Sequence, residues 1–229
     1  MANRLVLAID NTIDYLTLAL ASGQGFIEER QIKETRAPSQ IIPESVRSIL
    51  GDRDLSVGDL TGIIVTLGPG SFTGIRVALA FCKGLNAATG VPVTGIPTLD
   101  ALAFALADRE GSYLCPLIDA KKGEVFSSLY HVSRGALKRL TSYGALKPED
   151  VPKTVRTPCV LFGTGTAACE KYLSGMSDVT ILHAEHDHIS GKALVDERLA
   201  AMSSDRRGSL MPIYGRRSEA EIKLNINID

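Results

Sequence analysis

Three groups of residues in this chain have types and spacing suited to chemistry: a glycine loop ending in an arginine, two strand-end carboxylates, and a short histidine run. The loop reads Gly68-Pro69-Gly70-Ser71-Phe72-Thr73-Gly74-Ile75-Arg76. It falls between a strand pattern and a helix pattern, so free N–H groups and the positive end of a helix dipole make Gly68, Gly70, Ser71, Thr73 and Gly74 a candidate anion site. Arg76 sharpens that reading, because a cation in the first helical turn opposes the dipole unless a ligand, a partner residue or an internal salt bridge compensates it. The alternative is that Gly68, Gly70 and Gly74 serve only a tight turn and close helix packing. No Gly-Lys-Ser/Thr ends the loop and its third glycine is misplaced for a dinucleotide fingerprint, so neither standard phosphate motif is present. Asp10 with Thr12, and Asp119 with Gly123, outline two phosphate hairpins whose carboxylates could hold magnesium through water, although strand-end carboxylates also cap turns. The first hairpin lacks the glycine; the second keeps acid and glycine in altered spacing. His183, His186 and His188 lie between a short strand and a helix start, which predicts a polar surface loop, and no metal site is expected. No Gly-x-Ser-x-Gly nucleophile elbow occurs.

The elements that position these residues follow from the apolar pattern. Leu5 to Ile9, Tyr15 to Ala21 and Phe26 to Lys33 read as a three-strand meander. A helix follows, with Ser39 as N-cap, an apolar stripe at Ile41, Ile42, Val46, Ile49 and Leu50, and Gly51 as its stop. Gly62 to Leu67 is a buried strand, and after the loop a helix runs to about Thr89. On that helix Ala80, Gly84 and Ala88 form a small-residue stripe flanked by Val77, Phe81 and Leu85, a face either covered within the monomer or open to another helix. Val91 to Gly95 and Thr98 to Ala107 complete the first half. The second half replays the plan: Pro116 to Asp119 turns into a returning strand over 124–132, and Val160 to Gly165 repeats the strand that ends in Gly-x-Gly. A single last helix is expected from Ser190 to about Met202, and an alternating strand pattern over 221–229.

A meander followed by alternating helices and strands, duplicated, describes an α/β chain with mixed sheets and flanking helices, the actin-like ATPase (ASKHA) architecture. The expected division is 1–108 for the first subdomain, 109–205 for the second and 206–229 for a tail. At 229 residues and 45% hydrophobic content the chain can bury a substantial core. Lys and Arg number 25 against 26 Asp and Glu, so it lacks the positive field of a free-standing nucleic-acid binder, and any RNA contact is expected to be shared with a partner. Cys82, Cys115, Cys159 and Cys169 stand far apart in apolar segments, which predicts buried thiols and a reducing, cytoplasmic setting. The apolar run before Asp10 is too short for a leader or a membrane span.

Leu7 to Thr12, the loop Gly68 to Arg76, the hairpin Asp119 to Phe126 and the late segment Pro212 to Glu221 together resemble, in the same order, the TsaB (YeaZ) family of tRNA threonylcarbamoyladenosine biosynthesis, across nearly the whole chain. The resemblance implies a non-catalytic scaffold. It would pair with TsaD, the subunit that transfers threonylcarbamoyl to adenosine 37 of tRNAs reading codons that begin with A. It would join the ATPase TsaE in a larger assembly, form a homodimer when alone, and reach tRNA only indirectly. It would bind no cofactor by itself, with ATP used by the complex, and would have no membrane contact. Pairing in that family uses the first two long helices, which places Ile42, Val46, Val77, Ala80, Phe81, Gly84 and Ala88 at the interface. The sequence departs from the family in Pro38-Ser39-Gln40, where relatives often have His-Ser-Glu, and in Asp10-Asn11-Thr12-Ile13. The His-x-x-x-His metal motif of TsaD has no counterpart before His131, the first histidine of the chain. The rival reading is an autonomous actin-like ATPase or small-molecule kinase, resting on Asp10, Asp119 and the glycine loops.

Overall fold

The computed structural model describes residues 4–33, 37–183, 186–202 and 210–216. The first half opens with the meander β1 (Leu5–Asp10), β2 (Leu16–Ser22) and β3 (Gly25–Ile32), followed by α1 (Pro38–Gly51), β4 (Gly62–Thr66), α2 (Phe72–Thr89), β5 (Val93–Ile96) and α3 (Thr98–Phe104). These strands form one sheet in the order β3-β2-β1-β4-β5. Its first three strands pair antiparallel; β1, β4 and β5 run parallel. Helix α1 begins one residue ahead of Ser39, at Pro38, whose missing N–H suits the first turn.

The second half comprises β6 (Tyr113–Lys121), β7 (Glu124–Ser127), β8 (Tyr130–Ser133), β9 (Ala136–Arg139), β10 (Gly144–Leu146), β11 (Cys159–Phe162), α4 (Thr166–Leu173) and β12 (Val179–Ile181). Its main path, β10-β7-β6-β11-β12, repeats the first sheet strand for strand: two antiparallel pairings, then two parallel ones. The returning strand expected over 124–132 is in fact two strands. β7 pairs with the end of β6, and β8 leaves to pair with the start of β6 and with β9.

Alternation along β1, β2 and β4 divides the core. Leu7, Ile9, Leu18, Leu20, Ile63 and Val65 face α1 and α2. Val6, Ala8, Ala19, Ala21 and Ile64 face the opposite way, into a cluster shared with Leu114, Phe126, Tyr130 and Phe162 of the second half. The far face of the second sheet packs Cys115, Leu117, Val125 and Leu161 under α4. Because one cluster draws on both sheets, the two halves share an apolar interior.

One expectation for the helical segment that ends at Met202 is corrected. The single helix from Ser190 is two short ones, α5 (Gly191–Leu194) and α6 (Glu197–Met202), interrupted at Val195 and Asp196. Residues 191–202 join the apolar cluster shared by the two halves and also reach the first sheet. Gly191 lies against Ala19, where an added Cβ would stand 2.6 Å from the Ala19 Cβ, and its N–H donates to Glu29 at 2.9 Å. Arg4 adds an ion pair to Glu197 at 3.1 Å. The expected strand over 221–229 lies outside the described residues. Among the described residues no helix is long and apolar enough to cross a membrane.

Candidate functional site

The glycine loop is filled by its own chain. Ser71 caps α2 by accepting from the Gly74 N–H at 3.2 Å, while the Ser71 N–H donates to the Thr12 carbonyl at 2.7 Å. A Cβ on Gly70 would stand on that same Thr12 carbonyl, and one on Gly74 on the carbonyl of Asn11. The Gly68 carbonyl accepts from Thr98 N–H at 2.8 Å, and a Cβ on Gly68 would meet the Ile213 carbonyl. The three glycines therefore admit the backbones of the first hairpin turn and of residue 213. Of the two readings of this loop, close packing accounts for every glycine. Thr73 is exposed in the first turn of α2.

Asp10 is sealed in the same region. Its side chain is 1% exposed and accepts from Thr12 N–H at 3.1 Å, Thr12 Oγ1 at 2.5 Å and Thr66 Oγ1 at 2.6 Å. Thr98 Oγ1 in turn donates to Thr12 Oγ1 at 3.1 Å. Burial raises its carboxyl above the ordinary value near 3.8, against the lowering effect of these hydrogen bonds. Asp119 differs: it is exposed, and Lys121 reaches it with its backbone N–H at 2.7 Å and its ammonium at 2.9 Å. Burial works against this carboxylate, but the Lys121 contacts outweigh it and hold the group below its ordinary value. A magnesium–nucleotide does not fit at Asp10, whose carboxylate is enclosed by hydroxyls and backbone of its own chain. The two aspartates thus stand in unlike environments.

Asp10 carries a testable consequence. Asp10→Ala strands the three donors that the carboxylate accepts from, and is expected to lose about 2 kcal/mol in urea unfolding. Asp10→Asn retains an acceptor oxygen and loses less. Since burial raises Asp10 in the folded protein, protonation favours folding. The wild type should gain stability over Asp10→Asn as pH falls, with the gain complete below the ordinary value near 3.8 and lost as pH rises through the raised folded value. Thermal unfolding of the pair across that range measures it.

Between the two hairpins lies a cleft of about 1150 Å³, lined by Thr12, Ser71 and Phe72 on one side and Asp119, Lys121 and Thr164 on the other. A segment the sequence left without a structural role, Leu210 to Arg216, crosses it. Ile213 N–H donates to the Leu67 carbonyl at 2.7 Å, and Ala145 N–H to the Gly215 carbonyl at 3.0 Å, so residues two apart bind opposite halves. Gly215 is wedged where a Cβ would stand 2.8 Å from Phe126 and 2.9 Å from Pro69. Arg216 reaches the Ala120 carbonyl and lies 3.5 Å from Glu124. Arg76 meets this strap too: its Nε donates to Tyr214 Oη at 2.8 Å and its guanidinium stacks 3.7 Å from the Phe72 ring. Within the chain Arg76 is met by two aromatic faces and a hydroxyl, and among the described residues no ion pair to it is found.

On the outer surface, Ala80, Gly84 and Ala88 are exposed along α2, with Val77 and Phe81 half-buried beside them. Ile42 and Val46 do not join that face. They are 0% and 2% exposed inside the cluster between α1 and the first sheet, so their placement at an interface is corrected: the apolar stripe of α1 is the one that the monomer itself buries.

The remaining candidates are dispersed. His183 lies 3.6 Å from Glu170, His186 is set edge-on to Phe162 and His188 edge-on to Tyr15. The described residues contain no group of three metal-ligating side chains. All four cysteines are free and buried, and burial pushes the thiols of Cys115 and Cys169 to about 11 and that of Cys82 to about 12. Sequence reasoning missed the Asp100 cluster. That carboxylate accepts from Tyr130 at 2.7 Å and Tyr143 at 2.9 Å, with Arg139 at 3.5 Å, and so ties α3 to the second half. The available signal was a lone acid in the apolar run Leu99 to Ala103, a position that demands a buried partner.

Two sheets of identical strand order, joined by a shared core and bridged over a cleft, define an α/β protein of the actin-like class. The family model described as "TsaD: tRNA N6-adenosine threonylcarbamoyltransferase" matches residues 30–223. The chain belongs to that family, within its TsaB/YeaZ group. The "tRNA threonylcarbamoyladenosine biosynthesis protein TsaB" of Bacillus subtilis (strain 168) is 31% identical over 135 residues, or 59% of this chain and 58% of that protein. The protein of the same description from Escherichia coli (strain K12) is 29% identical over 168 residues, 71% of this chain and 72% of that one. The match thus spans little more than half the length of the Bacillus relative. A solved Pseudomonas aeruginosa structure, described as an uncharacterized protein with similarity to peptidase YEAZ, shares the fold. Its TM-score is 0.76 at 22% identity, covering 93% of this chain and 100% of that one.

Proposed function

We propose that this chain is a non-catalytic scaffold subunit in the synthesis of threonylcarbamoyladenosine at adenosine 37 of tRNAs reading codons that begin with A. It pairs with TsaD, engages TsaE in a larger cytoplasmic assembly and self-associates when TsaD is absent. It binds no cofactor alone, and the assembly uses ATP through its other members. The observation that carries this reading is the closure of the first phosphate hairpin. Asp10 accepts its hydrogen bonds from Thr12 and Thr66, and the glycine loop is packed against Asn11 and Thr12. The relatives in Bacillus subtilis and Escherichia coli, both tRNA threonylcarbamoyladenosine biosynthesis proteins, support the pathway. The exposed Ala80, Gly84 and Ala88 offer the second helix a surface on which a partner helix can approach closely.

Reconstituting tRNA modification from TsaD and TsaE of the same cell, with and without this chain, tests the reading. Modification is expected to fall to background when the chain is omitted. Full activity in its absence would refute the scaffold role.

The cleft beside Asp119, Lys121 and Thr164 favours one rival, an autonomous ATPase or small-molecule kinase. Calorimetry of the isolated chain with ATP and magnesium separates the two. The scaffold reading expects no saturable heat, and the rival expects binding that Asp119→Ala abolishes.

A further inference from the structure

The turn between β6 and β7 is built from residues that its backbone disfavours. Lys121 and Lys122 take φ of 61° and 55°, followed by Gly123 at 77°. A hairpin turn of this hand favours Asn-Gly or Asp-Gly, because a side chain at positive φ crowds its own backbone. Both lysines are exposed, so core packing does not hold them there. Lys121 has Asp119 at 2.9 Å, but at 76% and 42% exposure such a pair contributes little to folding.

The position of the turn suggests why lysine stands in it. Lys122 lines two recesses at once: the cleft between the halves, and a shallower depression of about 320 Å³ on the other side that Lys147, Lys171 and Tyr172 border. The hairpin tip is therefore the ridge between two recesses that share Lys122 and Glu124, and the cations beside them form a track across it. Arg76 lies on its cleft side, Lys121 and Lys122 on the crest, and Lys147 and Lys171 beyond. Arg76, Lys121, Lys122, Lys147, Lys171 and Arg216 outnumber the acids along it, Asp14, Asp119, Glu124 and Glu149, and the pairs these acids make with Lys121, Arg216 and Lys147 are exposed or long enough for phosphate to compete. At the far end Tyr172 is 37% exposed, with the Lys171 ammonium 4.7 Å from its ring centre. Cations strung along an open track beside an aromatic ring suit the repeating charge of a nucleic-acid backbone better than one compact anion, which needs converging donors.

We propose that the β6–β7 turn, with Lys147 and Lys171, is a direct, sequence-independent contact for the phosphate backbone of tRNA. The proposal rests on the reading that the chain acts in tRNA modification, and goes beyond it by putting RNA on this subunit.

The double variant Lys121→Asn with Lys122→Asn puts residues that accept positive φ at the bulge and at the first central position of the turn, where Gly123 already fills the second. Its melting temperature is expected to rise by about 2–4 °C. Affinity of the full chain, assembled with TsaD, for an unmodified tRNA transcript at low salt is expected to fall about tenfold, and the slope of log K against log salt to shrink by roughly 1.5. Lys147→Gln with Lys171→Gln should produce a similar loss at unchanged melting temperature. A raised melting temperature with unchanged affinity and slope would overturn the proposal, since the lysines would then be merely tolerated. Displacement of the tRNA by polyglutamate at equal charge would also overturn it, by making the track a reader of acidic protein. Activity on omission of the wild-type chain reports on the scaffold role alone, so the two readings fail separately.

Discussion

Gly74→Ala is expected to destabilise the protein by about 3 kcal/mol, although alanine ordinarily outperforms glycine in a helix. Gly74 lies in the first turn of α2, and the added methyl would fall on the carbonyl oxygen of Asn11. Neither side can yield easily, because the Asn11–Thr12 turn is held by Asp10 and by the Ser71 N–H. Gly84→Ala in the same helix is the internal control. Nothing lies within 4 Å of its added Cβ, so the substitution should stabilise the isolated chain by about 0.5–1 kcal/mol. Urea unfolding of both variants separates helix propensity, which predicts the same sign for each, from loop packing, which predicts opposite signs. Two gains would show that the loop does not pack against the first hairpin as described.

Asp100→Ala is expected to cost about 3–4 kcal/mol, a loss on the scale of breaking a buried charged pair. The Asp100 side chain is 2% exposed, Tyr130 is 0% exposed, and both tyrosine hydroxyls donate to the same carboxylate oxygen. Removing the acid leaves the Tyr130 hydroxyl stranded and the Arg139 guanidinium without its buried counter-charge. Tyr130→Phe deletes a single hydrogen bond and should cost only about 1–1.5 kcal/mol. Because the cluster joins α3 to β8 and β9, amide exchange should quicken on both sides of the junction in Asp100→Ala. A loss no larger than that of Tyr130→Phe would mean that the carboxylate is not the hub of the cluster.

Much of the fold was legible because the chain writes it locally. The meander follows from runs such as Leu5 to Ile9, the helix after the loop from the apolar run that ends near Thr89, and the duplication from two strand–Gly-x-Gly–helix passages. The local errors have local causes. The pair Ser128-Leu129 separates β7 from β8 without a glycine or proline to mark it, and Val195-Asp196 breaks the last helix just as quietly. At the candidate site, the sequence singled out Asp10, Thr12 and the loop but left two readings open. Choosing between them required knowing what stands opposite Gly70 and Gly74, residues some sixty positions away in the chain.

By itself the sequence determined the class of fold and the residues of the glycine loop, since these depend on periodicity and short-range spacing, and its motifs carried the resemblance to the family. Only the tertiary structure decided that Gly68 to Arg76 is filled from within, that Ile42 and Val46 are core while Ala80 and Gly84 are surface, and that Leu210 to Arg216 bridges the halves. The physical reason is common to all three. Burial and hydrogen-bond satisfaction are properties of pairs distant in sequence, and a helix with apolar residues on more than one face does not declare which face its own sheet will cover.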